Sequence, residues 1–420
     1  MIRIEAQCSR ENLPATGESM ANYLLVKLFP AAGEGTPSLP LNLALVIDNS
    51  GSMYGSDRRI AHAIEAACHV VDMMGPRDIV SVVGFHDVAR TFVSSTPVRD
   101  KNAIKGAIRS LPSWEAGGTR MATGMREACR EVRRQLSRER VNRVLVLTDG
   151  NTADPEECES IAERETRDGI VFSTFGVGDD WNQPLLSKIA DLGRGRWYYI
   201  DAPAAIPGIF QQELASLQKT FLNDVKLTAV LKRGVTVKKV RLVEPEIADL
   251  VTSQVSEREV VVNVGSMERD VPAFVLFHLS LASRQPGQYR IAELLVSYDR
   301  PGRPGERART EPLPVVVTYT TDPAQLWQNG EVLRYVDMEH VDSMVRQGTM
   351  LAARGEKERA TRLLSAAAQV ADRTGDRKKT RLIQAALHEL DAAGQIDRRT
   401  QLAMADRARQ TRFMPEEDEE

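Results

Sequence analysis

The pattern of apolar and polar residues changes along the chain, and each change predicts a different kind of structure. Between residues 40 and 220, aliphatic runs such as LNLALVID (41–48) and VNRVLVLTD (141–149) alternate with segments whose apolar residues recur every three or four positions. Such runs are typical of parallel strands buried on both faces, and the three-and-four spacing is typical of amphipathic helices. The alternation predicts a doubly wound α/β domain with a mostly parallel sheet over 40–220.

The segments on either side of this domain have a strand-like pattern without the intervening helices. Residues 221–322 contain several short strand candidates separated by turn-rich breaks, which predicts an antiparallel β-sandwich. Residues 1–39 contain two more strand candidates, and two strands are too few for a stable sheet of their own. We therefore expect the N-terminal strands to join the sandwich, so that the α/β domain is inserted in a β-sandwich domain.

The C-terminal region changes to a helical pattern. Residues 323–412 are rich in Ala and Arg and are interrupted by glycines, which predicts a helical bundle. Large apolar residues at its start, including Leu326 and Trp327, would be costly to expose, so we expect them to be buried against the rest of the protein. Residues 413–420 predict an acidic, disordered tail.

Composition and charge narrow the function classes. The 420 residues are 42% hydrophobic and 27% charged, with a net charge of -3, which gives no electrostatic reason to bind nucleic acid or an anionic membrane. No apolar run approaches the roughly 20 residues that a bilayer requires, and the first residues lack the apolar core of a signal peptide. Four scattered cysteines favour a reducing compartment, so we expect a cytoplasmic protein that binds no membrane.

Oxygen-bearing side chains follow two of the predicted parallel strands. Asp48 ends the first strand and Asp149 follows another, and both are expected at an exposed edge of the sheet, where doubly wound folds bind ligands. Ser50 and Ser52 follow Asp48, and Thr119 lies after a Gly-Gly turn at the start of a helix. A set that offers only oxygen suits Mg²⁺, with Mn²⁺ or Ca²⁺ as alternatives. So few ligands leave coordination positions for water or for an oxygen of another molecule.

These motifs resemble a known family. The D-x-S-x-S sequence, the distant Thr and the T-D-G turn are similar to the metal ion-dependent adhesion site of von Willebrand factor type A domains, and the resemblance covers residues 41 to about 200. It implies that Ser50 and Ser52 bind the metal directly, that Thr119 does so in the ligand-bound form, and that Asp48 and Asp149 act partly through water. It also implies that an Asp or Glu carboxylate of a partner protein completes the metal's coordination.

The flanking regions resemble bacterial proteins of this family that are related to calcium-activated chloride channels and to inter-alpha-trypsin inhibitor heavy chains. Many such proteins are cytosolic, and the resemblance implies association with an AAA+ ATPase or with a kinase or phosphatase system. The expected function is therefore that of a metal-dependent adaptor. Interfaces favour Met, Tyr and Trp, and an arginine can steer a carboxylate, so we expect four residues at the partner-binding rim: Met53, Tyr54, Trp114 and Arg120. Trp114 can equally pack beneath its own loop.

Two other function classes fit the sequence less well. A metal-dependent hydrolase or phosphatase would need a positioned base or nucleophile, and His86 is the histidine expected near this edge of the sheet. No motif of a hydrolase is present, so we expect no enzyme and assign no catalytic residue. The second alternative is a scaffold that binds partners through its helices and β domain, independently of metal. The sequence does not define the oligomeric state.

Overall fold

The chain forms two compact units. The computed structural model describes residues 2–31, 38–179, 181–299 and 306–411, so the tail predicted at 413–420 lies outside the described residues. The α/β unit comprises residues 33–224 and 299–306, and the sheet-and-helix unit comprises residues 1–32, 225–298 and 307–420.

The α/β unit is built on a six-stranded sheet with the order β6-β5-β4-β7-β8-β9. Its strands are β4 (Leu41–Asp48), β5 (Ile79–Phe85), β6 (Ala89–Pro97), β7 (Val141–Thr148), β8 (Val171–Val177) and β9 (Arg194–Ile200). All neighbouring pairs are parallel except β5 and β6. Every residue of β4, β5, β7 and β8 is buried, which explains their continuous aliphatic sequences.

In the described part of this unit, six α-helices lie between or after these strands. They are α1 (Arg59–Met73), α2 (Lys101–Arg109), α3 (Met121–Arg133), α4 (Pro155–Arg167), α5 (Gln183–Leu192) and α6 (Ile206–Gln218). The apolar stripes of α1, α2 and α6 share one hydrophobic core with the sheet, in which Val71, Ile108 and Phe210 are buried. The doubly wound α/β fold predicted from the sequence is confirmed.

The sheet-and-helix unit contains two β-sheets. Their orders are β1-β3-β15-β11-β12 and β13-β14-β10-β16-β18-β2, and β17 pairs with β16. The strands are β1 (Ile2–Cys8), β2 (Asn12–Pro14), β3 (Met20–Pro30), β10 (Thr220–Leu231), β11 (Val235–Glu244), β12 (Ala248–Asp249), β13 (Thr252–Ser256), β14 (Glu259–Glu268), β15 (Ala273–Leu281), β16 (Gly287–Asp299), β17 (Arg307–Arg309) and β18 (Leu313–Thr320). The N-terminal β3 pairs with β15 from Met20 to Leu28, and β2 pairs with β18.

Four further helices follow the sheets. They are α7 (Gly330–Ala353), α8 (Lys357–Arg373), α9 (Arg377–Ala393) and α10 (Arg398–Arg409). They share one apolar core, while Val332 and Val336 at the start of α7 pack against Leu276 of β15. No helix in the described parts of the chain combines the length and the apolar character needed to cross a bilayer.

The start of the helical region differs from the sequence prediction. Leu326 and Trp327 are 39% and 49% exposed, so the expectation that both are buried is wrong. The helix that packs against the sheet begins only after Asn329, whose side-chain oxygen accepts hydrogen bonds from the backbone N–H groups of Glu331 and Val332. Leu326 and Trp327 precede this cap and therefore lie outside the stripe of α7 that is buried.

Candidate metal centre

Two carboxylates lie at the carboxyl ends of the neighbouring strands β4 and β7. Asp48 is the last residue of β4 and Asp149 follows β7, and both are fully buried. The expectation of an exposed strand end at Asp48 is wrong, because the chain folds back over this carboxylate. Its Oδ1 accepts a hydrogen bond from the backbone N–H of Ser50 (2.8 Å), and its Oδ2 accepts one from the Thr148 hydroxyl (2.6 Å).

The two serine hydroxyls connect these strand ends. Ser50 Oγ lies 3.0 Å from Ser52 Oγ, and the Ser52 hydroxyl donates to Asp149 Oδ1 at 2.7 Å. Adjacent oxygens around an octahedral Mg²⁺ with bonds of about 2.0–2.1 Å are separated by about 2.9 Å. These separations are ordinary hydrogen-bond lengths and are also close to the spacing of neighbouring ligands in one coordination sphere, so the three oxygens could bind one ion with little movement.

The loop that carries Thr119 lies beside the first motif. Ser50 and Gly117 form a parallel β-bridge, and the Gly51 N–H donates to the Gly117 carbonyl at 3.1 Å. The Thr119 carbonyl accepts a hydrogen bond from the Ala153 N–H at 3.0 Å, in the segment that follows Asp149. The backbone of Thr119 is thus attached to the segment after β7. Two residues earlier, Gly117 forms the bridge to the segment after β4.

The Gly-Gly turn before Thr119 is required by a close approach of side chains. A Cβ at Gly117 would lie 2.6 Å from His86 Nδ1, and one at Gly118 would lie 2.6 Å from Asp87 Oδ1. The Gly118 N–H also donates to Asp87 Oδ2 at 2.8 Å. His86 and Asp87, which follow β5, therefore fix this loop from its other side.

A polar pair after β7 fixes the start of α3. The Met121 N–H donates to Thr152 Oγ1 at 2.9 Å, and the Ala122 N–H donates to Asp154 Oδ1 at 3.3 Å. The sequence does not indicate this role, because Asp154 followed by Pro155 is typical of the N-cap of its own helix α4. No side-chain cap hydrogen bond forms there, and the Asp154 carboxylate serves the preceding helix instead.

The structure places a positively charged side chain, that of Arg59, beside this centre, and the sequence did not indicate it. Arg59, in the first turn of α1, donates from NH1 to Asp149 Oδ2 at 2.7 Å and from Nε to Asp57 Oδ2 at 2.6 Å. Burial acts to lower the pKa of Arg59, but its hydrogen bonds to Asp149 and Asp57 and their negative charges outweigh burial and raise it. No motif relates Arg59 to Asp149, which is distant in sequence and meets it only through the fold.

The electrostatics favour a bound cation at this centre. Burial, with a smaller contribution from the nearby charge of Asp149, raises the pKa of Asp48 to about 6 although hydrogen bonds from Thr148 and Ser50 act to lower it. Among the described residues, no group of three or more His, Cys, Asp or Glu side chains is placed to hold a metal, so a cation here needs hydroxyl ligands as well. Two buried carboxylates with hydroxyl oxygens at ligand spacing are a donor set that fits a hard divalent cation.

The residues predicted for the rim have different surroundings. Met53 is fully buried in the core of the α/β unit, so its side chain does not contribute to a surface. Tyr54 is 40% exposed, and its hydroxyl donates to Asn49 Oδ1 at 2.7 Å. Trp114 is half-buried, with its ring centroid 4.1 Å from that of His86. Arg120 is exposed, with Nε 3.8 Å from Asp154 Oδ2.

Fold and site together define the class of this protein as a Rossmann-like α/β domain with an oxygen-rich cluster at the carboxyl edge of its sheet. Residues 42–212 match the family model of the von Willebrand factor type A domain, and the chain therefore contains a domain of this family. Domains of this family generally mediate protein–protein interactions, commonly bind a divalent metal ion, and are typically not enzymes.

Relatives of the chain occur in bacteria and animals. An uncharacterised protein of Synechocystis sp. is 29% identical over 325 residues, which cover 76% of each chain. The calcium-activated chloride channel regulator 1 of Bos taurus is 24% identical over 37% of this chain, and the human inter-alpha-trypsin inhibitor heavy chain H4 is 29% identical over 44% of it. The matches span only 17% and 21% of these two animal proteins.

A solved structure shares the fold of this chain over nearly its whole length. The von Willebrand factor type A protein from Catenulispora acidiphila superposes with a TM-score of 0.85, covering 98% of this chain and 97% of that one, at 20% sequence identity. At this identity the likeness shows the fold alone. It extends beyond the family-model match to the sheets and helices that flank the α/β unit.

Proposed function

We propose that this protein is a metal-dependent adaptor that binds a partner protein through a divalent cation. In this proposal the cation, Mg²⁺ in the first instance and Mn²⁺ or Ca²⁺ as alternatives, is held by the five residues of the candidate metal centre: Asp48, Ser50, Ser52, Thr119 and Asp149. The observation that carries the proposal is the row of three oxygens from Ser50 Oγ through Ser52 Oγ to Asp149 Oδ1, at 3.0 and 2.7 Å, beside the Asp48 carboxylate that accepts from the Ser50 N–H.

The bound cation would supply an electrophilic centre for a carboxylate oxygen of the partner. Ser50 and Ser52 would point their hydroxyl oxygens at it, and the two buried carboxylates would neutralise much of its charge. Tyr54, Trp114 and Arg120 would add contacts around the metal. The family resemblance implies an AAA+ ATPase or a kinase or phosphatase system as the partner class, and we place the interaction in the cytoplasm, where the four buried free cysteines would stay reduced.

The test compares partner retention by the full chain with and without metal. We expect a partner held in Mg²⁺ to be released by EDTA and to be absent with Asp48→Asn, which keeps the size of the side chain but removes its charge. Glu115→Gln, an exposed acid on the neighbouring loop, is the matched control and should retain the partner. A partner that is held equally in EDTA and by Asp48→Asn would contradict the metal-bridged function.

One observation favours a second candidate function, a scaffold that binds without metal. Leu326 and Trp327 are adjacent, large and exposed, in a segment where residues 321–328 are all exposed. Exposed tryptophan is a common anchor of protein interfaces. In that case Trp327→Ala should release the partner in the presence or absence of EDTA, while Asp48→Asn should leave it bound.

A further inference from the structure

Arg59 is the charged group that the proposed function does not use, although it contacts the metal centre. The Arg59 side chain is 19% exposed. Its guanidinium contacts Asp149 through Nη1 and Asp57 through Nε. Asp149 is fully buried, whereas the Asp57 side chain is 36% exposed. The interaction with Asp149 is therefore the less screened of the two, and it places a permanent positive charge against one of the carboxylates proposed to serve the cation.

The surroundings of Arg59 keep the guanidinium in this place. A Cβ at Gly178, which has a φ of +72°, would lie 3.2 Å from Arg59 NH2, so the turn after β8 passes close to the guanidinium. Arg59 belongs to the first turn of α1, and Ile60 beside it is buried in the core of the α/β unit. The backbone that carries Arg59 is thus anchored by packing, while two carboxylates orient its side chain.

We propose that Arg59 sets the charge of the metal centre, and so weakens metal binding while strengthening binding of an anionic partner. The proposal rests on the proposed function. Asp48 and Asp149 together carry two negative charges, which a divalent cation would neutralise. When Asp57, the other partner of Arg59, is counted as well, the loaded centre has a net charge of about 0 with Arg59 and about -1 without it. A carboxylate is attracted to the first centre more strongly than to the second, and a divalent cation is attracted less strongly to a centre that already contains a guanidinium.

The opposite signs of these two effects make the proposal testable with simple probes. Calorimetric titration with Mn²⁺ alone measures metal affinity, and titration of the Mn²⁺-loaded protein with acetate measures affinity for a carboxylate. For Arg59→Gln we expect Mn²⁺ binding tighter by on the order of tenfold and acetate binding weaker by a similar factor. For Arg59→Lys, which keeps the charge, both affinities should stay within about threefold of the wild type.

Arg58→Asn is the matched control, because Arg58 is the adjacent exposed arginine and Asn tolerates its φ of 55°. This variant loses the same formal charge away from Asp149 and should change neither affinity by more than about twofold. Circular dichroism of each variant checks that it is folded. If Arg59→Gln does not fold, Arg59→Lys decides the question, since a change beyond about threefold in either affinity would show that charge alone is not the determinant.

The outcomes separate this proposal from the proposed function. If the wild type binds Mn²⁺ and Arg59→Gln binds it equally well or more weakly, the proposed role of Arg59 is overturned. The metal-dependent adaptor function would then still stand. If Arg59→Gln binds Mn²⁺ more tightly but loses no affinity for acetate, the proposal that Arg59 strengthens binding of an anionic partner is overturned. Failure of both wild type and Arg59→Gln to bind Mn²⁺ at millimolar concentration would overturn the proposed function and the role of Arg59 together.

Discussion

The two units of the chain each bury a pair of carboxylates, and they neutralise the charge in different ways. In the sheet-and-helix unit, three cations face three carboxylates in what we call the ionic cluster: Lys239, Arg241, Arg346, Asp249, Glu339 and Asp342. In the candidate metal centre, Asp149 pairs with Arg59, whereas Asp48 accepts hydrogen bonds from the Thr148 hydroxyl and the Ser50 N–H and has no ion pair among the described residues. The ionic cluster is balanced by the chain itself, whereas the metal centre lacks positive charge.

Arg241 illustrates the balanced case. It is buried on β11, where NH2 lies 3.0 Å from Asp342 Oδ2 and Nε lies 3.0 Å from Asp249 Oδ1. Lys239 completes the neutralisation by contacting Glu339 at 2.6 Å. A site built in this way stabilises the contact between a helix and a sheet and has no use for an added ion. The comparison indicates that a deficit of positive charge around buried carboxylates, rather than buried charge itself, distinguishes the candidate metal centre from the ionic cluster.

The largest effect is expected from breaking the balanced site. Arg241→Ala leaves Asp342 and Glu339 buried with fewer cations, and should lower the free energy of unfolding by about 3–5 kcal/mol. Urea denaturation followed by circular dichroism measures this change. Arg359→Ala, in an exposed pair on α8, is the control and should change stability by no more than about 0.5 kcal/mol. A loss below about 1 kcal/mol for Arg241→Ala would mean that water enters the cluster and screens it.

The next largest effect is expected from binding a cation at the candidate metal centre, which lacks positive charge. A cation that binds only the folded α/β unit should stabilise it by about 2.7 kcal/mol at a concentration one hundred times its Kd. Thermal unfolding with Mg²⁺ or Mn²⁺, compared with EDTA, measures this gain. Asp48→Asn should lose the gain, while Glu163→Gln, an exposed acid on α4, should keep it. Equal stabilisation of Asp48→Asn by either ion would locate the binding elsewhere.

A smaller effect distinguishes the two sites in the absence of metal. At neutral pH the charged Asp48 carboxylate is unfavourable in its buried place, as its raised pKa indicates, so Asp48→Asn should raise the free energy of unfolding by about 1 kcal/mol in EDTA. The equivalent change in the ionic cluster, Glu339→Gln, removes the charge partner of Lys239 and should lower it by about 1.5–3 kcal/mol. Chemical denaturation of both variants measures the two changes in the free energy of unfolding. If both changes had the same sign, the proposed difference between the two sites would be wrong.

The smallest effect is expected on the alkylation rate of Cys8, in the sheet-and-helix unit, when Mg²⁺ is added. Burial raises the pKa of Cys8 to about 12 and also raises the pKa of Cys129 and Cys158, so these thiols should react only when their surroundings open. Mg²⁺ should slow the labelling of Cys129 and Cys158 in the α/β unit and change the rate at Cys8 by less than about twofold. Mass spectrometry of peptides after timed alkylation reads each site separately. Equal slowing at Cys8 would show that the two units open together.

The sequence was most informative where one physical rule applies. The aliphatic run of β4 predicts a strand buried on both faces, and the position of Asp48 at its end follows from the run itself. The pairing of Ser52 with Asp149 is predictable because carboxyl ends of parallel strands share one edge. Arg59 was not predictable in this way, since its contact with Asp149 depends on where α1 begins. The burial of Met53 and the exposure of Trp327 likewise depend on tertiary packing rather than on hydrophobicity.

The attachment of Thr119 to the segment after β7 has a consequence for the rate at which an ion could enter or leave. Ala153 holds the Thr119 carbonyl, and Thr152 and Asp154 hold the first amides of α3, so the backbone of Thr119 cannot shift without straining the segment that begins at Asp149. Loss of one ligand would therefore disturb another. Exchange of the proposed ion would then involve Thr119 and Asp149 together, and an occupied centre would release its ion more slowly than one whose ligands move independently.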